Sequence, residues 1–293
     1  MNPVTLRAPA KLNLCLFVGP TRDDGLHEIG SIFEPLELAD ELTVTEWEGP
    51  GDEVVCPEIP GPNLVEKGLS FLREQGWESP PIRVEISKRV PMAAGLGGGS
   101  ADAAAVLRLA RGELEGLRGL AASVGADVPS QIQPRPCLVS GAGEVVEPIT
   151  RPAAHGVVLI PQTAGLTTPE VYAEADRLGE NRGDAELEVI RRKLRDAVEG
   201  GASPLTYPEH LVNDLQPAAI SLRPEIEEPL EALRAAGAAH AMVTGSGPTA
   251  FGLFEDLAAA QSAATGLAER FPSAIATGPL APEAEVGPVA VPS

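Results

Sequence analysis

The sequence predicts an α+β fold, because strand-like segments dominate its first quarter and helices mix with strands in the remainder. The chain has 293 residues, which fits one large domain or two medium-sized ones. Hydrophobic residues make up 43% of it and aromatic residues only 3%, so we expect an aliphatic core. A proline-rich stretch at residues 148–152 is the best candidate boundary and gives predicted domains at residues 1–150 and 151–278.

The predicted strands are short segments of alternating or continuous apolar residues. Residues 4–18 form one or two strands, and a turn with glycine and aspartate at residues 20–25 follows them. The further predicted strands lie at residues 29–38, 42–47, 82–86, 157–160, 239–243 and 249–254.

The predicted helices have apolar residues at helical spacing. The first runs from an N-cap at Asn63 to about residue 75 and places Leu64, Leu69 and Leu72 on one face. The others lie at residues 100–110, 114–124, 184–198, 211–221, 226–236 and 257–271. Residues 279–293 are rich in proline and alanine without periodicity, and we expect this tail to be disordered.

Charge and cysteine content argue against several classes of protein. The formal net charge is −20, and so acidic a surface repels nucleic acid and anionic membranes. Cys15, Cys56 and Cys137 are an odd number without short spacing, which fits neither a disulfide framework nor a zinc site. No apolar run is long enough to span a bilayer. We therefore expect a protein of the reducing cytoplasm whose acidic surface serves mainly solubility.

The most informative segment is the glycine-rich loop Gly95-Leu96-Gly97-Gly98-Gly99-Ser100, between a predicted strand and a predicted helix. Glycines let the backbone approach an anion, and successive N–H groups with a helix N-terminus can bind phosphate. The loop has neither the lysine of the Walker A motif nor the spacing of the dinucleotide-binding fingerprint. The alternative is a glycine-rich turn before a helix that Ser100 caps.

Phosphate binding through such a loop depends on its backbone and on the residues at both of its ends. The candidate phosphate-binding residues, which the resemblance described below would make ATP-binding residues, are Pro91, Met92, Ala93, Ala94, Gly95, Leu96, Gly97, Gly98, Gly99, Ser100 and Ala101.

Several other polar or small residues stand out from apolar surroundings. Lys11 and Asn13 share one face of a predicted strand, which indicates either a site or an exposed face. His27 follows a glycine-containing turn and is either functional or a surface bystander. Asp127 precedes a predicted helix start, where it can cap the helix or face a ligand. The Gly245-Ser246-Gly247 segment is a hairpin turn or a second close approach of backbone to ligand.

These pieces occur together and in order, and in this combination the chain resembles the GHMP kinase superfamily, which includes galactokinase, homoserine kinase and mevalonate kinase. The resemblance runs from about residue 8 to residue 254. The motifs that carry it are Pro9-Ala10-Lys11-Leu12-Asn13-Leu14, Gly25-Leu26-His27-Glu28, residues 91–105, Gly125-Ala126-Asp127-Val128-Pro129, Asn213-Asp214-Leu215 and Thr244-Gly245-Ser246-Gly247.

The resemblance implies a two-domain α+β fold with ATP and substrate in the cleft between an N-terminal, ATP-binding domain and a C-terminal domain. It implies ATP and Mg²⁺ as cofactors, transfer of the γ-phosphoryl group to a hydroxyl, and a cleft bordered by residues 245–247. The chain looks most like those members that phosphorylate the 2-hydroxyl of a methylerythritol unit linked to cytidine diphosphate.

The resemblance also implies roles for single residues. Asp127 would orient or deprotonate the hydroxyl, Lys11 would neutralise charge beside it, and Asn13 would hold the substrate. The residues expected at the cytidine end are His27, Lys88 and Tyr172, whose ring would stack on cytosine.

Two departures from the family pattern leave rival functions open. Leu26 stands where the family usually has tyrosine, and Ala101 stands where a second serine usually follows the glycines. One rival is another GHMP kinase of the homoserine or mevalonate type, against which convergence of the three expected cytidine-binding residues would argue. The other is a non-catalytic ligand-binding protein of the same fold, against which the expected catalytic pair argues.

Overall fold

A computed structural model describes residues 3–59, 63–114, 116–162, 165–179, 181–282 and 289–290. It combines helices with two sheets, which confirms the predicted α+β class. The strands in chain order are β1 (Val4–Thr21), β2 (His27–Glu46), β3 (Glu53–Val55), β4 (Ile82–Ser87), β5 (Cys137–Gly141), β6 (Val145–Pro148), β7 (Gly156–Ile160), β8 (His240–Val243), β9 (Ala250–Phe254), β10 (Ile275–Thr277) and β11 (Val289–Ala290). The α-helices are α1 (Leu64–Glu74), α2 (Gly98–Leu107), α3 (Leu117–Leu120), α4 (Val128–Gln131), α5 (Thr168–Leu178), α6 (Asp184–Val198), α7 (Gln216–Leu222), α8 (Glu227–Ala235) and α9 (Leu257–Leu267).

The two sheets take their strands from different parts of the chain. The larger has the order β11-β1-β2-β4-β3, and the hairpin of β5 and β6 pairs with β2. The smaller has the order β10-β7-β9-β8. The chain changes sheet between Pro148 and Gly156, close to the predicted boundary at residue 150. One apolar cluster takes side chains from both sheets, such as Val18 and Val158, so the division into two domains stays a prediction.

Strands β1 and β2 form a long antiparallel ladder that carries the candidate site residues. Its register shifts between Pro9 and Lys11 and again between Asn13 and Cys15. Bulges of this kind bend a strand and change the direction of its side chains. Because the two irregularities flank Lys11 and Asn13, the ladder departs from strict alternation where these polar side chains lie.

Several helix predictions differ from the structure in extent. The predicted helix at residues 114–124 shrinks to α3 and a following 3₁₀ turn, because Gly116 directly before it has a φ of 68°. The predicted helix at residues 211–221 begins only at Gln216, since the Asn213 side chain accepts a hydrogen bond from the backbone N–H of Leu215 just before it. Helix α5 was missed, although Thr167 forms a capping box at its start.

The prediction of a disordered tail is wrong for its first residues. Leu280 is buried, and its backbone N–H donates to Pro35 O over 2.8 Å. Pro279 bridges to Leu36, and residues 289 and 290 pair with β1 as β11. An apolar side chain and backbone hydrogen bonds thus tie this segment to the larger sheet. The remaining predicted tail, residues 283–288 and 291–293, lies outside the described residues.

Two of the three cysteines belong to the core. Cys15 and Cys137 pack in apolar clusters, whereas Cys56 is partly exposed. Burial raises the pKa of the Cys15 thiol to about 12, so this thiol stays protonated at neutral pH. Among the helices that the structure describes, none has the length and apolar character needed to cross a membrane.

Candidate active site

The structure brings Lys11, Asn13 and Asp127 together. Lys11 Nζ donates to Asn13 Oδ1 over 2.6 Å and lies 3.3 Å from Asp127 Oδ2. The same ammonium lies 4.6 Å from the centre of the Phe33 ring. Lys11 and Asn13 are buried, whereas 30% of the Asp127 side chain is exposed. A buried cation therefore holds a carboxylate that remains accessible from outside.

Hydrogen bonds fix both the backbone and the side chain of Asn13. Its backbone N–H donates to Thr244 Oγ1 over 3.1 Å, and its Nδ2 donates to Ser31 Oγ over 3.0 Å. The Ser31 hydroxyl in turn donates to Cys15 O. Because the amide nitrogen is engaged, Oδ1 faces Lys11. Sequence reasoning missed Ser31 and Thr244, for which the signal was a polar residue inside or beside an apolar strand.

Asp127 stands at the N-cap position of α4 but does not cap it. Its φ of −85° and ψ of −11° are helical, and its side chain accepts no hydrogen bond from the helix backbone. A capping residue normally has extended geometry and an accepting side chain. The expected capping role is therefore wrong, and the carboxylate is left for Lys11 and for a ligand.

The glycine loop leads directly into α2. The helix begins at Gly98 with Gly97 at the N-cap, so Ser100 is the third helical residue and not the cap. The Ala101 N–H donates to Gly97 O over 2.9 Å. The N–H groups of Gly98, Gly99 and Ser100 come before this bond and have no partner within the helix. With the helix dipole they form an anion-binding end.

The glycines of this loop are required for different reasons. Gly95 has a φ of 74°, and a methyl group on it would lie 2.3 Å from Thr244 O. Gly97 has a φ of 67°, and its methyl group would lie 2.8 Å from Lys11 Cγ. A methyl group on Gly98 would instead point inward, 3.1 Å from a buried valine side chain. The loop therefore packs against Lys11 and against the turn after β8.

The other residues assigned to ATP binding differ in exposure. Ala94, Leu96 and Ala101 are buried in apolar clusters, so only their backbone can reach a ligand. Met92 and Ala93 are exposed, and Ala93 has a φ of 48°. The Ala101 side chain packs in the core. The serine hydroxyl that the family usually has at this position would therefore be buried.

The turn between β8 and β9 borders the same space. Asn213 holds it through two hydrogen bonds from Nδ2, of 2.7 and 2.8 Å, to backbone carbonyls at its start. Ser246 Oγ lies 3.1 Å from Thr168 Oγ1 at the beginning of α5. A methyl group on Gly245 would lie 3.6 Å from Lys11 Nζ. The turn thus connects the glycine loop with α5.

His27 and Tyr172 form a second cluster near Asp127. Their ring centroids are 4.9 Å apart, and His27 Nε2 lies 2.8 Å from Asp176 Oδ1. Burial, and secondly the charge of Asp127, raises the pKa of Tyr172, which places this ring within electrostatic reach of the carboxylate. Leu26 is 51% exposed beside His27. Sequence reasoning missed Asp176, whose signal was its helical spacing of four residues from Tyr172.

Lys88 lies apart from His27 and Tyr172, so the structure does not bring together the three residues expected at the cytidine end. Its Nζ donates to Asp40 Oδ2 over 2.5 Å and to Asp102 Oδ2 over 2.7 Å. Asp102 belongs to α2, and Asp40 lies towards the opposite end of β2 from His27. A methyl group on Gly98 would lie 3.4 Å from Lys88 Nζ. Two buried carboxylates therefore hold this lysine beneath the glycine loop.

A cavity of about 450 Å³ opens beside the start of α1. Its lining residues are Val54, Val55, Cys56, Pro57, Ile59, Asn63 and Glu66. It lies next to the glycine loop, since a methyl group on Gly99 would be 3.7 Å from Leu64 Cδ1. Its volume and its mixture of apolar and polar residues suit a small organic group.

The described residues contain no group of three histidine, cysteine or acidic side chains placed to hold a metal ion. Mg²⁺ usually binds through substrate phosphates and one or two carboxylates, and it keeps several waters. The partly exposed Asp127 carboxylate, close to the anion-binding end of α2, suits a metal ion that arrives with phosphates.

The arrangement combines three chemical capacities in one place. The start of α2 can bind an anion, Asp127 can accept a hydrogen bond from a hydroxyl, and Lys11 can stabilise negative charge beside both. Phosphoryl transfer needs positioning and charge stabilisation more than covalent work by the protein. This geometry therefore supports phosphoryl transfer to a hydroxyl.

Comparison with known proteins agrees with this chemistry. Residues 63–131 match the family model "GHMP kinases N terminal domain", and residues 203–273 match "GHMP kinases C terminal". The chain is 39% identical to 4-diphosphocytidyl-2-C-methyl-D-erythritol kinase of Kineococcus radiotolerans, over 92% of this chain and 86% of that protein. It is 40% identical to the enzyme of the same name from Saccharopolyspora erythraea, over 88% and 85% of the two chains.

Solved structures of kinases are similar to this chain in fold. A crystal structure of 4-(cytidine 5'-diphospho)-2C-methyl-D-erythritol kinase superposes with a TM-score of 0.77 and 32% identity, over 94% of this chain and all of that one. Homoserine kinase from Cytophaga hutchinsonii superposes with a TM-score of 0.69 over 99% of this chain and 98% of that one. Its identity is only 17%, so it shows the fold alone.

Proposed function

This chain belongs to the 4-diphosphocytidyl-2-C-methyl-D-erythritol kinase family of GHMP kinases, and we propose that it phosphorylates the 2-hydroxyl of 4-diphosphocytidyl-2-C-methyl-D-erythritol with Mg²⁺ and ATP. This reaction belongs to the non-mevalonate route to isoprenoid precursors. The single observation that carries the proposal is the pair of Lys11 and Asp127, 3.3 Å apart, packed against the glycine loop.

The nucleotide phosphates bind at the first turn of α2 in this proposal. The unpaired N–H groups of residues 98–100 supply donors, and the backbone of Gly97 brings the phosphates close to Lys11. The cavity beside α1 adjoins this turn and takes the adenosine end. Mg²⁺, when bound, would neutralise phosphate charge, and Asp127 would face it.

The acceptor hydroxyl binds between the phosphates and Asp127. Asp127 accepts a hydrogen bond from the 2-hydroxyl and orients its oxygen towards the γ-phosphorus, or takes its proton as the new bond forms. Lys11 stays between Asp127 and the phosphates and stabilises the charge that develops there. Asn13, fixed by Ser31, holds Lys11 in this orientation and borders the substrate.

The cytidine end lies at His27 and Tyr172 in this proposal. Their tilted rings are 4.9 Å apart and provide a surface on which a pyrimidine can stack. The Asp176 carboxylate forms a hydrogen bond with His27 Nε2 and so fixes the plane of the His27 ring. Lys88 takes no part at this end, because it lies beneath the phosphate loop. Recognition of cytidine therefore depends on two of the three residues expected from the sequence.

A coupled assay of ADP release tests the proposal. The enzyme is supplied with Mg-ATP and one of three acceptors: 4-diphosphocytidyl-2-C-methyl-D-erythritol, homoserine or mevalonate. We expect ADP release with the cytidyl acceptor alone. Release with homoserine or mevalonate alone would keep the kinase activity and reject the acceptor, and binding of Mg-ADP without turnover of any of the three would reject the reaction.

A further inference from the structure

A buried cluster beneath the phosphate loop is not used by the transfer described above. Asp40 Oδ1 accepts hydrogen bonds from the backbone N–H groups of Arg89 and Val90, over 2.5 and 2.8 Å. Its Oδ2 accepts one from Lys88 Nζ. Asp40 is fully buried, and all three donors lie where β4 gives way to the loop. Asp40 therefore fixes the chain at the entry to the phosphate site.

Asp102 completes this cluster from the other end of the loop. Its Oδ2 accepts the second hydrogen bond of Lys88 Nζ, while its Oδ1 is buried and has no partner. A rise of 1.5 Å per residue places it about 6 Å along the axis of α2 from Gly98. The carboxyl thus lies directly behind the N–H groups that face the phosphates.

The charges of the cluster do not balance. One ammonium group faces two carboxylates, which leaves one net negative charge behind an anion-binding site. Burial and the Asp40 charge outweigh the attraction of Lys88 and raise the pKa of Asp102 to about 7. The titratable groups that face Asp102 are Lys88, Asp40 and, across the neighbouring cavity, the Cys56 thiol. Two carboxylates that share one buried site usually share a proton.

We infer, on the basis of the proposed function, that Asp102 is a positioning residue that takes up a proton when nucleotide phosphates bind at the start of α2. The proton comes from solvent and forms an O–H bond on the Asp102 carboxyl, while Asp40 stays ionised and keeps its hold on the loop. Uptake leaves Lys88 and Asp40 as a neutral pair, so the bound phosphates no longer face a net negative charge. Nucleotide affinity then decreases as the pH rises above 7.

Calorimetry of Mg-ADP binding measures this uptake directly. Titrations at pH 7.5 in PIPES and in Tris, whose ionisation enthalpies differ, give the number of protons bound with the nucleotide. We expect a substantial fraction of a proton for the wild type and almost none for Asp102→Asn, which keeps the shape and the acceptor for Lys88. If phosphates raise the pKa of Asp102 by one unit, the wild-type Kd rises by up to about tenfold between pH 6.5 and 8.5.

The Asp40→Asn variant provides the matched comparison. Asparagine at position 40 removes the charge that raises the pKa of Asp102 and leaves Lys88 and Asp102 as a neutral pair, so we expect the proton uptake to fall towards the Asp102→Asn value. Uptake that is equal in the wild type and in Asp102→Asn, or absent from the wild type, would overturn the inference while leaving the proposed function standing. Failure of the wild type to bind Mg-ADP at all would overturn both. Should Asp102→Asn not fold, an infrared difference spectrum of the wild type must show a new carboxylic acid band on Mg-ADP binding, and its absence would equally overturn the inference.

Discussion

Among single side chains, Lys11 and Asp127 carry the chemistry, and their environments suit different tasks. Lys11 is buried among Asn13, Phe33 and the glycine loop, so its charge is held in a water-poor setting. Asp127 has no role in capping α4 and stays partly exposed. The accessible carboxylate can orient a hydroxyl, and the buried cation beside it keeps a fixed position out of contact with solvent.

Replacement of Asp127 tests its part in the transfer. We expect Asp127→Asn to lower kcat by about 10²- to 10⁴-fold, the usual contribution of a positioned acid or base. The Kd of ADP without Mg²⁺ should change little, because the helix terminus that binds phosphate is intact. Steady-state kinetics and calorimetry measure the two quantities. Asp196→Asn, on the exposed face of α6, is the control, and an unaltered kcat in Asp127→Asn would refute the assignment.

The Tyr172 ring tests recognition of the cytidine end. We expect Tyr172→Ala to raise the KM for the cytidyl acceptor by about 2- to 12-fold, which corresponds to about 0.5–1.5 kcal/mol for an aromatic pair. Tyr172→Phe keeps the ring next to His27 and should stay close to the wild type. Measured KM values that rise equally in both variants would show that the hydroxyl, and not the ring, matters.

The sequence led to most of these residues but not to their supports. Lys11 and Asn13 share a face in the strand pattern, and Asp127 precedes a helix, so local rules singled them out. Ser31 and Thr244 hold Asn13 from distant parts of the chain, and strand patterning does not show such contacts. Strand patterning likewise does not show the contacts of Lys88 with Asp40 and Asp102, which keep it apart from His27 and Tyr172.

Among the secondary-structure elements, the glycine loop and the β8–β9 turn work as one unit. Gly95 packs on Thr244 O, and the turn continues to Ser246, which contacts Thr168 of α5. The loop is thereby connected by packing to α5, which carries Tyr172 and Asp176. In the proposed function, this turn lies between the phosphate site and the cytidine end.

A pair of alanine variants separates this packing from general effects of losing glycine. Gly95→Ala places a methyl group 2.3 Å from Thr244 O at a φ of 74°, and we expect it to raise the KM for Mg-ATP at least about tenfold, since left-handed backbone alone costs about 1–2 kcal/mol. Gly266→Ala, on the exposed side of α9, meets nothing within 4 Å and should remain near the wild type. Equal KM values for Mg-ATP in the two variants would contradict this account of the loop.

Elements with strong local signals were predictable, and those set by distant contacts were not. Asn63 caps α1 with the capping box that its sequence suggests. The segments predicted as strands at residues 29–38 and 42–47 are one strand, β2, because β1 pairs along both segments and β4 pairs with residues 41–46. The β5–β6 hairpin was missed, since its pairing with β2 depends on residues more than a hundred positions away.

Across the molecule, a buried ion pair helps to hold the two sheets together. Glu34 of β2 and His155, just before β7, are both fully buried at the side chain, and their Oε2 and Nε2 atoms are 2.9 Å apart. Burial alone would lower the pKa of His155, but the nearby Glu34 carboxylate outweighs this effect and raises the pKa above its usual 6.5. Protonated His155 therefore stabilises the folded state.

The stability of the protein should depend on pH through this pair. The contribution of protonated His155 is complete below about pH 6.5 and is lost as the pH rises through the raised pKa of the folded state. We expect His155→Gln to lower the free energy of unfolding by about 3 kcal/mol at pH 6, with a smaller loss at pH 8.5. Urea unfolding measures both values, and His210→Gln, a partly exposed histidine, is the control. A loss that grows with pH would contradict the assignment.

The central claim is transfer of a phosphoryl group to one particular hydroxyl, and the phosphorus NMR spectrum of the product tests it most directly. In 2-C-methyl-D-erythritol the 2-hydroxyl stands on a carbon that bears a methyl group and no hydrogen. We therefore expect the new monoester signal, recorded without proton decoupling, to lack three-bond splitting. A doublet or a triplet would place the phosphate on the 3- or the 1-hydroxyl and contradict the account.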